Sequence, residues 1–201
     1  MSYQDFTLVQ LTKDFGLVLE EKPDLFGDIP EIELDEFFLK VLKRNIPLAE
    51  AINTEKAKSE MIVAPVLLEL KTILANRISL FSGILFNVDS ARGLNGFCDF
   101  IVSLSSQQFY LNSPAIAIVE AKNDNIVNGL PQCIAEMLAA QIFNSREENS
   151  IETIYGVVTN GTQWKFLSLC KNIVSIDSKD YYIIQPQKIL GFLASVLTKE
   201  E

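Results

Sequence analysis

The chain has 201 residues, enough for one domain with a sizeable core, and 48% of them are hydrophobic. Twenty-six acidic against seventeen basic residues leave a net charge of −9, which excludes a generic nucleic-acid coat but not a nuclease with a metal-loaded cleft. The absence of histidine excludes Ser-His and Cys-His nucleophiles and His-bearing metal sites, leaving carboxylates, lysine, hydroxyls, amides or a hard cation such as Mg²⁺.

Residues 1–50 read as an acidic N-terminal extension that packs on the core or offers a partner surface. Its acidic turns run over 24–30 and 31–36, and a short helix is expected over 34–43 with Phe37, Phe38, Val41 and Leu42 for packing. An α/β domain is expected over 51–201. It opens with a helical pattern over 54–76 that Pro65 kinks or divides; Glu60, Val63, Leu67, Leu70 and Leu74 form one inward stripe.

Strands are expected over 84–88 and 97–104, with Asn95-Gly96 as a turn, and over 115–122 after Pro114. Beyond the polar turn at 123–125 a helix spans 129–144, with Pro131 in its first turn and Ile134, Met137, Leu138, Gln141 and Ile142 inward. Asn160-Gly161 between two apolar runs is a hairpin signal; short strands at 173–176 and 181–184 and a helix over 186–197 close the chain. The expected fold class is α/β, a central mixed sheet flanked by helices in the order α-β-β-β-α-β-β. Three dispersed cysteines (Cys98, Cys133, Cys170) read as reduced core residues, and no apolar run of membrane-span length or secretory leader is read, so a cytoplasmic protein is expected.

The most informative stretch is Ile116-Ala117-Ile118-Val119-Glu120-Ala121-Lys122. Alternate residues of a strand share a face, so Glu120 and Lys122 go inward with Ile116 and Ile118. Two charges drawn into an apolar interior are costly unless each finds a partner or a metal. Asp99 ends the upstream Gly96-Phe97-Cys98-Asp99, and Gln132 falls in the first turn of the next helix. This set points to metal-dependent cleavage of a phosphodiester, with a structural ion pair as the plainer alternative.

Asp99, Glu120-x-Lys122 and Gln132, together with the downstream hairpin Val157-Val158-Thr159-Asn160-Gly161-Thr162-Gln163-Trp164-Lys165-Phe166, resemble the PD-(D/E)xK nuclease superfamily. Its similar members are restriction-type endonucleases, resolvases and the N-terminal nuclease domain of type I restriction subunits. The resemblance implies a restriction-endonuclease-like core and DNA as substrate. It also implies Mg²⁺, replaceable by Mn²⁺, on Asp99, Glu120 and the Ala121 carbonyl. Lys122 then positions water or stabilises phosphorane charge, Gln132 orients the lysine or the water, and Glu60 completes the acidic cluster, with Glu55 and Glu69 as competitors for that place. Cys98 stands where the motif's name has proline, and no Gly-x-x-x-x-Gly-Lys segment follows, so the nuclease is expected to stand alone, as a monomer or a homodimer, or to work with a separately encoded partner. Lys56, Lys58, Lys71, Arg77, Arg92 and Lys165 are the candidate local basic set, and Trp164 reads as a core aromatic. Two other readings stand beside the nuclease: an idle nuclease fold serving as a binding or regulatory module, and an interaction subunit working through its acidic N-terminal segment.

Overall fold

A computed structural model describes residues 1–25, 27, 29–122, 125–149 and 151–198; Phe26 and Asp28 of the first acidic turn and Asn123 and Asp124 of the polar turn lie outside them. In chain order the elements are α1 (Leu8–Phe15), β1 (Val18–Lys22), α2 (Glu36–Ile52), α3 (Glu55–Lys58), α4 (Ala64–Ile73), β2 (Ser79–Leu85), β3 (Phe97–Ser103), β4 (Ala115–Ala121), α5 (Leu130–Arg146), β5 (Thr153–Thr159), β6 (Gln163–Cys170), β7 (Ile173–Asp177), β8 (Tyr181–Tyr182) and α6 (Pro186–Thr198). The fold is α/β: one open, mixed, eight-stranded sheet ordered β1-β7-β6-β5-β4-β3-β2, with β8 beside β6 and helices on both faces. Among the described residues only β1–β7 and β4–β5 are parallel pairs. The second parallel pair is joined through α5, which packs on both of its strands, as a parallel crossover requires.

The first fifty residues do more than cover the core. Val18–Lys22 adds a parallel edge strand to β7, and Tyr3, Phe6, Leu11 and Leu17 are buried in the same layer as α5. Apolar residues scattered between acidic turns hid this role. The helix expected over 34–43 runs instead from Glu36 to Ile52, capped by the Asp35 carboxylate on the Phe37 and Phe38 N–H groups and stopped by Asn53 in the left-handed conformation (φ 53°).

The helical pattern expected over 54–76 holds a π turn, Ser59–Val63, between α3 and α4. Pro65 has no N–H, so the Met61 carbonyl four residues back loses its helical donor. The Asn45 amide of α2 takes its place at 3.0 Å, and the Ala64 N–H reaches back to the Ser59 carbonyl. One inserted residue rotates everything before it relative to the later face. Val63, Leu67, Leu70 and Leu74 are buried as expected, whereas Glu60 is turned outward.

Two apolar layers sandwich the sheet. Phe38, Leu67, Trp164, Phe166 and Phe192 belong to the layer under α2, α4 and α6; Ile118, Cys133, Ile134 and Met137 belong to the layer under α5. The span Ile126–Arg146 is long and apolar enough to cross a membrane by length and composition, contrary to the expectation that no run reaches that length, yet 61% of its most apolar window is buried inside the protein. That burial explains its composition as a core helix covering a sheet.

Asn144 on α5 ties that helix to the central strand, its amide accepting from the Ala115 N–H at 2.9 Å and donating to the Ala115 carbonyl at 2.7 Å in full burial. Asn144→Ala strands two buried backbone groups, and the expected loss is about 2–4 kcal/mol, a Tm fall of roughly 5–15 °C by calorimetry.

Candidate active site

All seven residues of β4 are buried, because β3 and β5 flank it and helices cover both faces. Ile118 packs under α5, and Glu120, two residues on, turns to that side with 1% exposure. Ile116, expected to share the face, belongs to the opposite layer. The register explains it: Val102 pairs with Ala117 and Ser103 with Ala115, leaving Ile116 as the extra residue of a bulge.

The β3–β4 ladder begins at Phe100↔Val119, and before Phe100 the strands part. There the Asp99 carboxylate accepts the Ala121 N–H at 2.8 Å, filling the place of a strand carbonyl. On the other edge the Lys122 N–H donates to the Thr159 carbonyl at 2.7 Å, extending the β4–β5 pairing by one step. The Lys122 ammonium then reaches Glu120 Oε1 at 2.5 Å and Gln132 Oε1 at 3.1 Å. Its stem lies against Gly129, where an added Cβ would stand 3.0 Å from Lys122 Cγ and 2.6 Å from Val158 Cγ1, so the start of α5 tolerates only glycine. The structure therefore brings together Asp99, Glu120, Ala121, Lys122 and Gln132.

A cleft of about 250 Å³ opens on Asp99 and Ala121, walled by Glu55, Lys56, Ser59, Glu60 and Ser82. Glu60 stands exposed at its rim, paired with Lys56 at 3.6 Å rather than at the head of a buried stripe. Glu55 is the helix carboxylate whose charge acts on both Glu120 and Lys122. Glu69 lies on another face, beside Asp35. Among the expected basic residues Lys56 alone lines this cleft; Lys71 bonds the Ile78 carbonyl and Gln108, Arg92 pairs with Asp89, and Lys165 with Asp180. Trp164 is buried with its indole N–H on the Gly161 carbonyl, a hairpin and core aromatic. Gln141 caps the Lys171 carbonyl.

Sequence reasoning missed Glu136. It is fully buried on α5, one turn after Gln132, and accepts from the Gln132 amide at 3.0 Å. The signal was present: a lone carboxylate inside the apolar run from Leu130 to Ala140.

Burial dominates the electrostatics. It raises Asp99 above the usual carboxylate range, against the Ala121 hydrogen bond and Lys122. Burial and then the Asp99 charge push Glu120 up to about 8. Burial works against the Lys122 charge, but Glu120, Glu55 and Asp99 together outweigh it and hold its pKa above the usual lysine value. Glu120 Oε2 has no hydrogen-bond partner among the described residues. Two crowded carboxyls with raised affinity for protons form a site short of positive charge. Among the described residues no three His, Cys, Asp or Glu side chains converge as a protein cage for a metal. Mg²⁺ is ordinarily held through one or two carboxylates and keeps several waters, so the donor set of Asp99, Glu120 and the Ala121 carbonyl suits it.

No protein family, no curated protein and no solved structure matches this chain.

Because Glu120 binds its proton more tightly in the folded chain, stability falls as pH rises from its ordinary 4.5 through about 8. Glu120→Gln removes that contribution. In chelator, the Tm of Glu120→Gln relative to wild type is expected to climb between pH 5 and 8.5; a constant difference means Glu120 titrates as an ordinary carboxylate.

Proposed function

We propose that this chain is a Mg²⁺-dependent nuclease with a restriction-endonuclease-like core, hydrolysing DNA phosphodiesters in the cleft beside β4. The observation that carries the reading is the convergence of Asp99, Glu120 and Lys122 where β3 and β4 part, with Glu120 Oε2 buried and unpartnered among the described residues. The element order α4-β2-β3-β4-α5-β5-β6 accords with it, as does the helix carboxylate Glu55 in the cleft wall.

Asp99, Glu120 and the Ala121 carbonyl would hold the cation, and Mn²⁺ would serve in its place. When bound, the cation supplies Lewis-acid polarisation of the phosphate and a more acidic water. Lys122 keeps one of its three donors after Glu120 and Gln132 take two, and that donor stabilises charge building on the phosphoryl oxygens or orients the attacking water. Gln132 fixes the lysine from the first turn of α5. Among the described residues the cleft wall offers a single lysine, Lys56, so the wider DNA surface comes from a second copy or a separately encoded subunit. A cytoplasmic setting accords with three free thiols.

The acidic balance favours a second reading, an idle nuclease fold acting as a binding or regulatory module, because a net charge of −9 repels phosphate. Metal titration separates the two: the idle module binds Mn²⁺ no better than Asp99→Ala does.

With supercoiled, linear and branched DNA and Mg²⁺ or Mn²⁺, wild type is expected to nick at least one substrate, and Asp99→Ala and Lys122→Ala each to lose on the order of 10²-fold or more. Cleavage that survives both variants places the chemistry elsewhere. The two helix carboxylates also differ: Glu55→Gln is expected to slow cleavage about tenfold or more. Glu60→Gln, which removes only an exposed pair, shifts it less than about threefold. The reverse order of effects assigns the role to Glu60.

A further inference from the structure

Glu136 is a fully buried carboxyl that the proposed chemistry leaves without a task. It sits on α5 under the sheet, close to the buried thiols of Cys98 and Cys133, with Oε1 on the Gln132 amide and Oε2 without a partner among the described residues. Taking a carboxyl out of water is costly, so the apolar packing of α5 does not explain its presence. Hydrogen-bond geometry does.

The Gln132 side chain has a donor end and an acceptor end that differ only by rotation. Lys122 needs an acceptor. A carboxyl four residues along the same helix face, whose Oε1 accepts from the amide, holds the NH₂ end and leaves the Gln132 Oε1 aimed at Lys122. The line Glu136–Gln132–Lys122–Glu120 thus runs from the middle of α5 to the end of β4 through contacts of 3.0, 3.1 and 2.5 Å. We infer that Glu136 is a positioning residue: through the Gln132 amide it sets where the Lys122 ammonium stands. On the nuclease reading, on which this catalytic consequence rests, it thereby governs turnover and not DNA or metal affinity.

The test compares wild type, Glu136→Gln, Glu136→Leu and Glu136→Met in the full chain. Gln keeps an acceptor for the Gln132 amide; Leu and Met do not. The first readout is the rate of Lys122 acetylation by acetic anhydride in chelator, measured by peptide mass spectrometry. It is expected to rise several-fold in the Leu and Met variants and to stay near wild type in Glu136→Gln. The second readout is cleavage: kcat falls about tenfold in Leu and Met with KM for DNA and the Mn²⁺ Kd unchanged, and Gln restores it. Equal Lys122 acetylation in all four proteins overturns the positioning role. So does loss of the fold in both apolar variants, which makes Glu136 a structural residue. If wild type cleaves no DNA while Lys122 acetylation still depends on residue 136, positioning stands and the nuclease reading falls.

Discussion

The acceptance of the Ala121 N–H by the Asp99 carboxylate holds the end of the central strand open. A strand with both neighbours paired along its full length has no space for side chains in the plane of the sheet. Here β3 yields its first places to a carboxylate, and the gap lets the cleft reach Asp99 and Ala121. The exchange costs ladder hydrogen bonds and replaces one of them with a charge-assisted bond. A buried Glu120 and a half-buried Lys122 on the neighbouring strand are then tolerable, because each charge meets another at the mouth of that gap.

The helical side of the site depends on a second local departure from regularity. Pro65 removes a donor, Asn45 supplies one from the neighbouring helix, and the π turn absorbs the change of phase. Without the inserted residue, Glu60 would join Val63 and Leu67 toward the core. With it, the first helical turn is carried back so that Glu55 faces the cleft while Leu67 and Leu70 still fill the layer beneath. Apolar packing and site geometry make different demands on one helix, and the π turn lets both be met.

The core strands from Phe97 onward were largely legible because apolar runs bounded by Asn-Gly and proline leave little choice, whereas the strand expected over 84–88 is Ser79–Leu85. The inward turn of Glu120 was legible for a related reason: charge in such a run stands out. Glu60 misled because helical phase was extended through Pro65 as though the helix were regular. Glu136 passed unnoticed because attention to a stripe of apolar residues treats the positions between them as solvent-facing, and α5 is buried on more than one side. The N-terminal strand was hidden by composition: Val18-Leu19-Glu20-Glu21-Lys22 has the charge of a linker and becomes a strand only by pairing with a segment far along the chain.

That pairing bears on how the protein is made. The Lys22 carbonyl accepts from Ser178, 156 positions later. During synthesis the edge strand leaves the ribosome well before β7 and finds its neighbour only after the intervening residues have followed. Meanwhile Leu11, Leu17 and the first phenylalanines have nothing finished to rest on. Pairing over such a sequence separation is slow, so the joining of β1 to β7 is expected late in folding. A nascent protein of this design depends for longest on whatever shields exposed apolar surface in its cell.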